Sequence, residues 1–97
     1  MKKIYFIDVV HGVLQERLEK SGLFECIDCT KLNAEDCRKT ISDAYGLVIR
    51  SRFTLDEEFL KHANNLRFIA RSGAGMENID VAYCESRGIT LYNAPEG

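Results

Sequence analysis

Five short apolar runs recur along this chain, at residues 4–7, 24–27, 47–49, 68–70 and 89–92, with amphipathic stretches between them. That rhythm restricts the fold more than any other feature. Each run is too short for a helix and rich in β-branched or aromatic residues, so each reads as a strand. Between them, Val10, Leu14 and Leu18 step by four, as do Cys37 and Ile41, and again Leu55, Phe59 and Ala63. Such spacing lays apolar side chains along one stripe of a helix. The chemistry of helix ends agrees. Asn33 and Asp80 stand where a side-chain oxygen caps a helix N-terminus. Thr54 with Glu57 has the spacing of a reciprocal cap. Gly22 and Gly88 sit where a left-handed residue ends a helix.

Strands that alternate with helices run parallel, with the helices covering both faces of the sheet. Burial then orders the strands. Ile4-Tyr5-Phe6-Ile7, Leu47-Val48-Ile49 and Phe68-Ile69-Ala70 are apolar throughout and belong in the centre. Phe24-Glu25-Cys26-Ile27-Asp28 alternates, and the fifth strand carries Thr90, so both belong at edges. The order 2-1-3-4-5, that of a flavodoxin-like, doubly wound α/β sheet, satisfies this distribution.

At 97 residues the chain is one domain at most. The net charge is −2, with lysines and arginines scattered, which argues against a nucleic-acid or membrane surface. No apolar run approaches the ~18 residues of a membrane span. The basic start meets Asp8 too soon for a signal peptide, so a cytoplasmic protein is expected. Cys26 and Cys29 have the spacing of a redox motif, but in a strand they face opposite sides, whereas a redox pair opens a helix. Together with Cys37 and Cys84 they read as reduced, mostly buried thiols. No metal is expected: His11 and His62 fall in different segments, without ligand spacing to the cysteines.

In such a sheet, ligands bind beyond the carboxyl ends of the strands, near the point where the order reverses. Those ends carry Asp8 and His11-Gly12, then Arg50-Ser51-Arg52, then Arg71-Ser72-Gly73-Ala74-Gly75, and last Asn93-Ala94-Pro95. Arginine offers a fork of donors to carboxylate or phosphate, and a glycine turn exposes backbone N–H groups to the same anion. Arg50 and Arg71 carry most of the weight because they directly follow buried strands. Arg52 points away from Arg50 if the chain stays extended. The run from Gly73 to Asn78 is no dinucleotide fingerprint: Asn78 takes the third glycine position, and the turn follows the fourth strand. A tight turn without a ligand stays open as its bland alternative. His11 reads as a loop or helix-start residue. Asp8 does not make a phospho-acceptor domain, which would want an aspartate where Arg50 ends the third strand.

The stretches Gly46-Leu47-Val48-Ile49-Arg50-Ser51-Arg52 and Ala70-Arg71-Ser72-Gly73-Ala74-Gly75-Met76-Glu77-Asn78-Ile79-Asp80 closely resemble the start of the D-isomer-specific 2-hydroxyacid dehydrogenases. So does Arg87-Gly88-Ile89 followed by Asn93-Ala94-Pro95-Glu96-Gly97. The resemblance runs through the whole chain in order and spacing. Ser72 departs from the family's frequent alanine, and Ala74 from its threonine or valine. The resemblance implies two Rossmann-like domains around a cleft, the substrate domain built from both chain ends and the NAD domain inserted between. It makes residues 1–97 the N-terminal part of the substrate-binding domain, incomplete as a sheet domain, with the NAD-binding domain and the catalytic residues absent. It implies hydride transfer between NAD and a 2-hydroxy or 2-oxo acid in a homo-oligomer. Gly73, Ala74 and Gly75 would hold the substrate carboxylate through backbone N–H groups. Arg50, Ser51 and Arg71 would face the cleft and balance the charge of a phosphorylated acid, with Ala74 and Asn93 near the nicotinamide. Two other readings are a standalone flavodoxin-like module for a small anionic metabolite, and a fragment without a ligand whose uncovered apolar surface drives dimerisation.

Overall fold

Each of the five apolar runs becomes a strand in the computed structural model, which describes residues 2–8, 12–72 and 77–94. The strands are β1 (Lys2–Phe6), β2 (Phe24–Asp28), β3 (Gly46–Ile49), β4 (Phe68–Ser72) and β5 (Thr90–Ala94). The helices are α1 (Gly12–Lys20), α2 (Ala34–Thr40), α3 (Glu57–Leu60) and α4 (Val81–Ser86), and a 3₁₀ turn, Ile41–Asp43, continues α2. All strand pairs are parallel, in the order β2-β1-β3-β4-β5 expected from burial. The doubly wound, flavodoxin-like α/β architecture is therefore the one its apolar rhythm calls for.

Register assigns the two faces. Ile27, Tyr5, Leu47, Ile69 and Leu91 form one row across the sheet. They pack with Cys37, Ile41, Phe59, Leu60 and Cys84 from the helices and the 3₁₀ turn. Neighbouring rows face the opposite side. There Ile4, Phe6, Val48 and Ala70 pack with Leu18 of α1 and with Cys26. Burying each of the large aliphatic side chains fully is worth about 1.5–3 kcal/mol, so the first face is the main source of stability. On the second face Phe24, Tyr45, Phe68 and Tyr92 form a row with centroids 5.9–6.1 Å apart. This row explains Gly46: a Cβ there would lie 2.2 Å from Cζ of Phe68. Tyr92, at the sheet edge, is 54% exposed.

Local chemistry sets the helix ends. Asn33 Oδ1 accepts from the N–H of Asp36 at 2.8 Å, and Asp80 Oδ1 from that of Tyr83 at 3.0 Å. Gly22 and Gly88 take φ of 71° and 72°, which costs a glycine little. At the end of α4, Ile89 N–H donates to Cys84 O and Gly88 N–H to Glu85 O, which satisfies two carbonyls that would otherwise lack partners. One expected cap is corrected. Asp56, not Thr54, caps α3, its Oδ1 accepting from Phe59 N–H at 3.0 Å. Leu55 is the reason: its N–H donates to Asn78 O and its carbonyl accepts from Asp80 N–H, so the backbone is extended where the cap from Thr54 needed helix. Of the stripe Leu55, Phe59 and Ala63, only Phe59 is helical, although all three reach the same core. Val10 lies outside the described residues.

The thiols divide as strand geometry predicts, Cys26 on one face and Cys29 on the other. All four are free. Burial pushes Cys29 up to about 11, with the neighbouring Cys37 adding to the rise, and burial also raises Cys37 and Cys84. Burial raises the Cys26 thiol as well, but Cys26 is only partly buried where the other three are fully so. A reagent must reach the sulfur, so an aromatic disulfide at neutral pH should modify Cys26 first. The other three should react only as fast as the protein unfolds. Prompt modification of more than one thiol in the native protein would contradict this packing.

No helix among the described residues is long and apolar enough to cross a membrane.

Candidate functional site

The site follows from how the strands connect. After β1 the chain passes through α1, whose Leu18 packs on the second face; after β3 it passes through α3, whose Phe59 and Leu60 pack on the first. β1 and β3 are neighbours, so their connections leave in opposite directions. The carboxyl ends between them open the crevice where ligands of such sheets bind. A cleft of about 380 Å³ lies there, lined by Ile7, Asp8, Thr30, Arg50, Ser51 and Arg52. A larger hollow of about 460 Å³ between α2 and α3 is lined by side chains of both signs, among them Glu35, Glu58, Arg38 and Lys61. Another, of about 490 Å³, sits at the amino ends of the strands beside Tyr45 and Phe68. Neither is at the reversal point, and the carboxyl-end cleft is the one whose chemistry and topology agree.

Arg50 and Ser51 are exposed on its rim. The bend that carries them is pinned by Asp8, whose Oδ2 accepts the backbone N–H of Arg50 at 2.6 Å and of Arg52 at 3.1 Å. Arg52 departs from Arg50, as strand alternation implied. Its Nη1 donates to the carbonyls of Ile7 and Cys29 at 3.1 and 3.2 Å, and its Nη2 to that of Leu32. Its guanidinium also lies 4.5 Å from the ring centre of Phe53. Its donors therefore close the ends of β1 and β2, while Arg50 is exposed at the mouth of the cleft.

Arg71 is placed differently. It lies inside β4, in register with Ile49 and Asn93, and its side chain is 12% exposed. Nε donates to Asn78 Oδ1 at 2.7 Å, and Nη2 is 3.5 Å from a carboxylate oxygen of Glu77. Asn78 in turn donates from Nδ2 to Phe53 O at 2.9 Å. The exposed Glu77 adds little, but the Asn78 bridge ties the end of β4 to the segment after β3. Arg50 and Ser51 thus share one cleft, while Arg71 and Asn93 sit side by side on the adjoining strand ends. Gly73, Ala74 and Gly75 lie outside the described residues, as does His11.

Sequence reasoning passed over Asp8 as an anchor, Thr30 as a lining residue and Asn78 as a bridge. For Asp8 there was a signal, a carboxylate at the end of a buried parallel strand, but its partners are 42 and 44 residues away.

Comparison with known proteins agrees with the geometry. Residues 4–97 match the family profile described as D-isomer specific 2-hydroxyacid dehydrogenase, catalytic domain. The D-3-phosphoglycerate dehydrogenase of Methanocaldococcus jannaschii is 35% identical over 96 residues, covering 99% of this chain and 18% of that protein. The enzyme of the same name from Archaeoglobus fulgidus is 35% identical over 80 residues, covering 82% and 15%. The crystal structure of NAD+-bound 3-phosphoglycerate dehydrogenase from Entamoeba histolytica matches with a TM-score of 0.79 at 33% identity, covering 95% of this chain and 32% of that one. The chain therefore spans less than a fifth of the curated relatives' length and about a third of the solved one.

Proposed function

This chain belongs to the D-isomer specific 2-hydroxyacid dehydrogenase family, and on that premise we propose that it is the N-terminal part of the substrate-binding domain of an NAD-dependent D-3-phosphoglycerate dehydrogenase. The reaction is removal of a hydride from a phosphorylated 2-hydroxy acid to give the 2-oxo acid, which assigns the enzyme to serine biosynthesis. The observation that carries the reading is the carboxyl-end cleft, with Arg50 and Ser51 exposed at its mouth. It supplies a cation and a hydroxyl for an acid carrying a carboxylate and a phosphate.

In this reading the side chains of Arg50 and Ser51 meet the anionic substrate. Arg71 contributes positive potential from the neighbouring strand end, held there by Asn78. The turn Gly73-Ala74-Gly75, which follows β4 in sequence, offers backbone N–H groups to the substrate carboxylate. NAD, when bound, supplies the hydride acceptor. Toward it this chain contributes Ala74 and Asn93, the latter exposed and beside Arg71. A carboxamide there fits the polar edge of a nicotinamide, while the dinucleotide fold and the proton-transfer residues belong to the remainder of the polypeptide. The chain's part is thus binding and orientation, holding the acid with its reacting carbon toward the ring. The free thiols suit a reducing cytoplasm, and exposed Leu23 and Tyr92 suit a further covering surface in a homo-oligomer.

The full-length protein should reduce NAD in the presence of 3-phosphoglycerate, followed as NADH absorbance. Turnover of unphosphorylated 2-hydroxy acids with 3-phosphoglycerate ignored would keep the family and remove this substrate.

A further inference from the structure

Beyond the acid-binding role proposed for Arg50 and Ser51, on which it rests, we infer that Asp8 is a positioning residue for that cleft. Its carboxylate sets the shape of the bend Arg50-Ser51-Arg52 and so the direction in which Arg50 and Ser51 are presented. The backbone N–H groups of Arg50 and Arg52 converge on one oxygen, Asp8 Oδ2, at 2.6 and 3.1 Å. Two backbone donors aimed at one point form a concave anion seat. Here the protein fills that seat with its own carboxylate, delivered across the crevice from the end of the neighbouring strand β1.

Two consequences follow. The bend lies beyond the last residue of β3, so these bonds constrain what the sheet ladder no longer holds. The guanidinium of Arg52, fixed on the carbonyls of Ile7, Cys29 and Leu32, clamps its far side. Arg50 and Ser51 are thus held between two anchors. The amides of Arg50 and Arg52, moreover, are already occupied, so what this bend offers a bound acid is the side chains of Arg50 and Ser51. Side chains that grip an acid depend on the backbone that aims them, since a charge-assisted hydrogen bond weakens as its geometry is lost.

The test uses the full-length enzyme and four variants: Asp8→Ala, Asp8→Asn, Arg50→Ala and the double variant Asp8→Ala with Arg50→Ala. Asp8→Ala should raise KM for 3-phosphoglycerate about tenfold, the scale of one charge-assisted hydrogen bond no longer well aimed, with kcat and the KM for NAD nearly unchanged. Hydrogen exchange in the segment 50–52 should speed up. Asp8→Asn, which keeps an acceptor oxygen without the charge, should show about a threefold rise, and it carries the comparison alone if Asp8→Ala does not fold. The double variant should lose less than the product of the two single effects, because most of what Asp8 supports is already gone once Arg50 is removed. An unchanged KM despite faster exchange would overturn the inference, as would effects that multiply in the double variant, or a joint collapse of kcat and both KM values. If Arg50→Ala raises KM and Asp8→Ala does not, only the positioning role is lost. If Arg50→Ala itself leaves KM unchanged, the acid-binding reading falls, and the role of Asp8 with it.

Discussion

Full-length enzyme carrying Arg50→Glu is expected to bind its phosphorylated acid ten- to a hundredfold more weakly, seen as a rise in KM with kcat changed far less. A charge-assisted hydrogen bond contributes about 1.5–3 kcal/mol, and each 1.4 kcal/mol is roughly a factor of ten. Reversal adds repulsion between the new carboxylate and the anion, so the upper half of that range is the better expectation. The effect is confined to KM because Arg50 grips the acid equally in the ground and transition states, and uniform binding leaves kcat alone. It should also weaken at high salt, since the residue is exposed and its field is screened. Arg52→Glu would test something different, because that guanidinium serves the carbonyls of Ile7, Cys29 and Leu32. Its loss should lower stability along with affinity. An Arg50→Glu enzyme with native KM would remove this residue from the site.

The largest effect on stability should come from Arg87, remote from the cleft. Its Nη1 donates to Leu60 O at 2.7 Å and to the hydroxyl of Tyr83 at 3.0 Å, and its Nη2 to Ala63 O at 2.7 Å. The carbonyls of Leu60 and Ala63 accept the backbone N–H groups of Ala63 and Leu66 at 2.9 and 3.2 Å, and Arg87 adds a charged second donor to each, tying the end of α4 to the chain at and beyond the end of α3. Leu60 and Ala63 are themselves buried, and water is a poor replacement there. Arg87→Met keeps the apolar stem and removes every donor. It should cost about 1.5–3 kcal/mol from the lost charge-assisted bonds, measured as a lower urea midpoint with unchanged slope. For comparison, Lys39→Met breaks an exposed pair with Glu35 at 3.5 Å, worth about 0.3–0.5 kcal/mol. Equal losses in the two variants would show that the backbone donors alone serve the carbonyls of Leu60 and Ala63 and that Arg87 adds nothing to them.

Much of the architecture was readable because it is local or periodic. Alternating strands and helices set the fold class. The contrast between Leu47-Val48-Ile49 and Phe24-Glu25-Cys26-Ile27-Asp28 set the order of the strands, since only a central strand must be apolar on both faces. Asn33 and Asp80 were visible as caps because cap and recipient are three residues apart. Thr54 misled because the competing bridge between Leu55 and Ile79 spans 24 positions and outbids a local cap for the same backbone.

By itself the sequence determined the apolar faces of the strands, which strands are central, and that Arg50 and Ser51 follow the end of a buried strand. Those follow from periodicity, which a chain carries residue by residue. Only the tertiary structure decided how the rim is wired: Asp8 on the amides of Arg50 and Arg52, Arg52 on three carbonyls, and Arg71 on Asn78. Polar partners are chosen by distance and direction after the chain has packed. Four arginines alike in composition therefore end as one exposed cation (Arg50), two clamps on backbone carbonyls (Arg52 and Arg87) and one largely buried link (Arg71).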